Sequence, residues 1–155
     1  MADNINLKII INKKTLQVRT ILSAVVAVAF AVVSHAQYNT VNNADGDDRV
    51  TISGELRQWH KVTLNLAGPF CRETDTAPNP FTDYRFTVTF EHESGMLKYT
   101  VPGYFAADGN AAESGAQAGN IWRAHLSPDR VGQWSYHISF VRGPGVAVSD
   151  SPGES

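Results

Sequence analysis

The sequence predicts an all-β protein in which two antiparallel sheets pack face to face. Apolar residues recur at every second position in Tyr84-Phe86-Val88-Phe90 and again in Trp134-Tyr136-Ile138-Phe140, the mark of strands with one buried face. Turn-forming residues separate such runs at short intervals, and the runs never alternate with the long helical patterns that a parallel sheet requires. Leaving these aromatic and aliphatic stripes wet would forfeit roughly 1.5–3 kcal/mol per side chain, so each needs a second sheet to cover it.

Taken in order, Val62, Leu64 and Leu66 alternate with Lys61, Thr63 and Asn65 as a half-buried strand, and Gly68-Pro69 ends it. A loop rich in turn formers runs to Asn79-Pro80. The strongest alternation follows, with Arg85, Thr87, Thr89 and Glu91 on the wet face. Glu93-Ser94-Gly95 turns the chain, and Met96 to Val101 returns as its hairpin partner. Pro102-Gly103 interrupts before Tyr104-Phe105, and Ala106 to Asn120 has room for one helical turn at most. Ile121 to Leu126 is a further strand, Ser127-Pro128-Asp129 a turn, and Gly132 leads into the last alternating run.

The aromatic residues divide by place. Phe86, Phe90, Trp134, Tyr136 and Phe140 stand at strand spacing and are expected in the core. Trp59, Tyr104 and Phe105 stand at strand ends or beside Pro-Gly, where a ring can be exposed, and they are the candidates for ligand contact.

The N-terminal 36 residues have a different character. Lys8, Lys13, Lys14 and Arg19 precede an apolar run from Ile21 to Val33, and Ser34-His35-Ala36 offers small residues for cleavage. A run of thirteen residues is too short to cross a bilayer, which takes roughly 20. A signal peptide removed near Ala36 is therefore expected, with a secreted or periplasmic product and no membrane association afterwards. Residues 37–54 read as a flexible lead-in, in which Asp45-Gly46-Asp47-Asp48 lacks the further ligands of a calcium loop and reads as a solvated turn. The domain is expected over 55–148, and 149–155 (SDSPGES from Ser149) as a linker-like tail outside the fold.

Charge and residue chemistry exclude several functions. The 155 residues are 43% hydrophobic, 18% charged and 10% aromatic, with a net charge of −2. Residues 37–155 carry nine basic against fourteen acidic residues, a net of −5. That field repels anionic polymers, so no nucleic-acid partner is expected and a neutral one is favoured. The lone Cys71 has no internal disulfide partner and is expected as a buried or half-buried thiol, with intermolecular pairing as the alternative. His92, His125 and His137 stand in no metal-ligand pattern, no cofactor motif is present, and no nucleophile elbow exists. Glu91 and Glu93 could stand at a glycosidase-like separation, but they lie at a hairpin end where carboxylates are solvated. No catalytic residue is expected.

Asn79-Pro80-Phe81-Thr82-Asp83-Tyr84-Arg85, the stretch Val101 to Asn110 and the run from Trp122 through Pro128 to Gly132-Gln133-Trp134-Ser135-Tyr136 resemble the immunoglobulin-like N-terminal module of secreted bacterial proteins of glycoside hydrolase type. That module is catalogued as a domain of unknown function, and in longer members it precedes a TIM-barrel catalytic domain, in some followed by a collagen-binding-type domain. The resemblance covers about Glu55 to Asp150. It implies an immunoglobulin-like sandwich serving as a non-catalytic accessory domain, with Trp134 and Tyr136 as core anchors, Asp108-Gly109 as a turn, and a glycoside hydrolase barrel or a neutral glycan as partner.

The family pattern continues through one more strand where this chain turns to SDSPGES, so the last strand is expected missing or incomplete and its neighbour's edge exposed. A truncated reading frame is the favoured explanation, beside an edge completed by a partner and a domain that tolerates the loss. A free-standing glycan-binding or adhesion module is the alternative function, and a small hydrolase using Glu91 is the third.

Overall fold

The computed structural model describes residues 7–11 and 43–149. The apolar run Ile21–Val33, the cleavage site at Ala36 and residues 150–155 lie outside the described residues. Strands β1 (Leu7–Ile11), β2 (Val50–Gly54), β3 (Val62–Arg72), β4 (Tyr84–His92), β5 (Lys98–Pro102) and β6 (Tyr104–Phe105) precede one helical turn, α1 (Ala111–Ser114), and then β7 (Ala118–Leu126) and β8 (Gly132–Arg142). They form two antiparallel sheets, ordered β1-β8-β4-β5 and β2-β3-β7-β6. The fold is an all-β sandwich. Its neighbour order is that of the immunoglobulin sandwich, with β1 seated where the strand following β8 would lie.

Alternation dictates the core. β4 turns Tyr84, Phe86, Val88 and Phe90 inward, and β8 does the same with Trp134, Tyr136 and Ile138. The opposite sheet supplies Val62, Leu64 and Leu66 from β3 and Trp122, Ala124 and Leu126 from β7. Trp122 reaches across the interface, its ring 5.0 Å from that of Tyr84 and 4.9 Å, edge-on, from that of Phe140. Trp134 is fully buried and donates its indole N–H to the Arg130 carbonyl at 3.0 Å. The Tyr136 ring is equally deep, and its hydroxyl has no hydrogen-bond partner among the described residues. Phe140, expected in the core, is half-buried: it packs on Trp122, Tyr84 and Phe86 near the end of β8, where cover from the facing sheet thins.

Several boundaries differ from the sequence expectation. Gly68-Pro69 does not end β3, because a bulge between Ala67 and Cys71 absorbs the proline and the strand resumes its pairing with β7. The stretch predicted as a flexible lead-in contains β2 and docks on that bulge: the Phe70 N–H donates to Asp45 Oδ1 at 2.8 Å, Gly46 N–H to the Gly68 carbonyl at 2.7 Å, and Asp48 N–H to the Ala67 carbonyl at 2.9 Å. β7 begins three residues before Ile121, at Ala118. Leu7–Ile11, predicted to lie outside the domain, pairs with Gly132–Tyr136 and covers half of the edge expected to be exposed. After β8, residues 143–149 form turns and no strand.

Gly103 sits between the Phe86 ring and the Arg123 carbonyl. A Cβ there would overlap the buried Phe86 ring and lie 2.9 Å from the Arg123 carbonyl, neither of which can yield. Gly103→Ala is expected to lower the unfolding free energy by about 1–3 kcal/mol, read from the urea midpoint, as overpacking does.

Candidate functional site

The rings predicted for ligand contact separate. Trp59 stands in the β2–β3 connection at φ 66°, held by its N–H to the Pro128 carbonyl at 2.8 Å, and its side chain is 67% exposed. Tyr104 is 47% exposed, whereas Phe105 is buried at 7% against Trp122. Adjacent strand residues point to opposite faces, so Phe105 turns toward the core while its ring still lines the rim depression beside Tyr104.

Tyr104 anchors a polar row across the outer face of the second sheet. Its hydroxyl lies 3.1 Å from His125 Nε2 on β7, and His125 Nδ1 lies 3.1 Å from Thr63 Oγ1 on β3. Beside that row, Arg123 donates through Nε to Asn65 Oδ1 at 2.7 Å and through Nη2 to the Gly109 carbonyl at 2.6 Å. Burial, with Lys61 and Arg123 nearby, pushes the His125 pKa below its ordinary value, so the ring is neutral at pH 7 and relays one donor and one acceptor between its neighbours.

Two depressions meet this row. One, of about 290 Å³, opens at the rim of the sandwich between Phe81, Arg85, Gly103 and Tyr104, with Trp122 and Phe86 toward its floor. Phe81 is 54% exposed and stands edge-on to Phe105. The other, of about 470 Å³, is lined by Lys98, Tyr99, Val101, His125, Leu126 and Asp129, where the Tyr99 hydroxyl donates to Asp129 Oδ2 at 2.7 Å and its pKa rises in consequence. The Tyr104–His125 contact joins the two, since Tyr104 lines the first and His125 the second.

Other reactive groups stand apart. Glu91 and Glu93 are exposed at the β4–β5 hairpin and line neither depression. His92 is buried and fully engaged: Nε2 donates to the Val131 carbonyl at 3.1 Å, which leaves Nδ1 to accept from the Ser94 hydroxyl and N–H. His137 is exposed on β8. Among the described residues no three His, Cys, Asp or Glu side chains gather as a metal site. Cys71 is a free, buried thiol beside Tyr84; burial raises its pKa, and raises that of Tyr84 to about 12.

Compared with protein families, residues 55–141 match the model of a domain of unknown function, DUF5060. The chain belongs to that family. No curated protein and no solved structure matches it. The DUF5060 match begins in the β2–β3 connection and ends within β8, so it spans Trp59, the Tyr104 row and the lining of both depressions apart from Ala147.

Phe81, His125 and Asp129 are among the residues that the sequence pattern does not assign to a site in this DUF5060 domain. Only Phe81 left a signal, an apolar ring directly after Asn79-Pro80 in a turn, where no strand face can hide it.

Two measurements check this account. Because the folded His125 pKa is lowered, its stabilising contribution is complete above pH 6.5 and is lost as pH falls below that value toward the folded pKa. The urea midpoint should therefore drop on moving from pH 7.5 to pH 5, and His125→Gln should flatten that part of the slope. Cys71 should react with a chromogenic disulfide reagent at least about tenfold more slowly in the native chain than in denaturant, as an inert buried thiol does.

Proposed function

We propose that this chain is a non-catalytic accessory module of an exported carbohydrate-active protein, and that its contact face is the rim depression between Phe81 and Tyr104. The observation that carries this reading is the pairing of two half-exposed rings around a groove with a polar row running away from it. A sugar ring has an apolar C–H face that stacks on aromatics and a hydroxyl rim that needs paired donors and acceptors, and such a face meets both needs. Resemblance to modules that precede glycoside hydrolase barrels supports the same reading, with the barrel or a neutral glycan as partner. The basic leader and apolar run ahead of Ala36 support export and cleavage.

No paired carboxylates line either depression, and the reading assigns no catalytic role to this chain. A second reading, a free-standing glycan-binding or adhesion module, is favoured by Trp59, the more exposed ring.

Affinity electrophoresis against soluble neutral polysaccharides distinguishes them. Retardation by one of them, weakened about fivefold or more in Tyr104→Ala and unchanged in Trp59→Ala, is expected, a loss in keeping with about 1 kcal/mol for one stacked ring. Loss in Trp59→Ala alone would favour the second reading. Hydrolysis of the polysaccharide, abolished by Glu91→Gln, would overturn both.

A further inference from the structure

We propose that the outer edge of β8 is a strand-acceptor site, filled by Leu7–Ile11 in the uncleaved chain and by β8 of a second copy when that segment is withdrawn, as cleavage near Ala36 would do. The inference is independent of the contact face proposed above.

The sheet edges are not equally guarded. β5 carries Lys98 and Pro102, a charge and a missing donor that both oppose pairing. β6 has only two residues, and β2 ends at Gly54, whose φ of 96° turns the chain out of the strand. β8 differs from all three: its eleven residues, GQWSYHISFVR, contain no proline, lysine or carboxylate. One side of β8 is taken by β4 from Tyr84 to His92. On the other side Leu7–Ile11 pairs antiparallel with Tyr136 back to Gly132, Ile9 opposite Trp134, and no strand covers His137–Arg142 among the described residues.

Residues 143–147 are not placed to guard this edge. Gly143 N–H donates to the Asp83 carbonyl, Gly145 N–H to Asp83 Oδ1 and Ala147 N–H to the Thr82 carbonyl, each at 2.9 Å, which carries residues 143–147 over the start of β4. The occupant is thus a segment from far away in sequence, LKIII, rich in β-branched residues that suit a strand. Main-chain pairing of this kind takes any extended segment of suitable pattern. Without Leu7–Ile11, the strand that fits a bare antiparallel edge most directly is the same edge on another copy, since a two-fold axis pairs β8 with itself. His137, exposed and central in β8, would lie close to that axis.

The test uses the full chain with its N-terminal segment intact. Amide exchange at Leu7–Ile11 is expected to be at least about tenfold slower than in a free peptide of residues 5–13, as for a paired strand. Exchange at the free-peptide rate overturns the proposal. Ile9→Pro removes a donor from the strand, and sedimentation should show the monomer replaced by a species of doubled mass; adding His137→Lys to that variant sets like charges across the axis and should restore the monomer. An Ile9→Pro chain that stays monomeric, or a dimer indifferent to His137→Lys, overturns the proposal. Should Ile9→Pro precipitate, the peptide of residues 5–13 supplied in trans decides: restored solubility supports the acceptor site, and no effect overturns it.

Discussion

The indole of Trp122 crosses from one sheet into the other, and much of the structure follows from finding a partner for its N–H. A side chain 1% exposed that left this donor unpaired would forfeit about 1–3 kcal/mol. The Pro69 carbonyl accepts it at 3.0 Å. In a regular strand that carbonyl would be committed to the ladder, and the bulge between Ala67 and Cys71 releases it. Gly68 lies under the ring, where a Cβ would come within 2.9 Å of it. The bulge in turn leaves main-chain groups of its own to satisfy, and the stretch from Asp45 to Arg49 meets them, the Ala67 N–H donating to the Arg49 carbonyl at 2.9 Å. One buried donor thereby ties a bulge, a glycine and an acidic turn into a single arrangement.

This chain of dependence explains which parts of the fold were legible in the sequence. Burial on one side of a pleat writes itself as period two, so Tyr84–Phe90 and Trp134–Ile138 could be read directly, and with them the two-sheet architecture. Hydrogen bonds from main chain to main chain leave no such trace. Gly68-Pro69 has the composition of a strand end, and Asp45-Gly46-Asp47-Asp48 that of a wet turn, because the partner that gives each its role lies some 25 residues away. β6 is a related case: the Pro-Gly before it signals exposure but does not say which of two adjacent rings, Tyr104 or Phe105, faces out.

The candidate site was legible only ring by ring. Tyr104, His125 and Thr63 are far apart in sequence and become neighbours because β6, β7 and β3 lie side by side, with Tyr104 opposite Arg123 and His125 opposite Thr63 in register. Cross-strand neighbours of this type are fixed by register, which no local pattern announces. The same register keeps Glu91 and Glu93 at the far hairpin, outside both depressions. The polar row and the exposed carboxylates thus stand on different parts of this sheet pair.

Asp83 joins this face to the open edge. Its carboxylate accepts the Gly145 N–H, the Asn79 N–H and the Thr82 hydroxyl, and the two main-chain donors hold its pKa below the usual carboxylate value. On one side it closes the Asn79–Thr82 turn that carries Phe81 to the rim of the groove; on the other it captures the chain just after β8, so that Ala147 comes to line that same groove. A segment engaged there cannot also run back along β8. The carboxylate that completes the groove is therefore also what leaves the β8 edge to a strand from elsewhere in the chain, and the two surfaces are consequences of one local choice of hydrogen bonds.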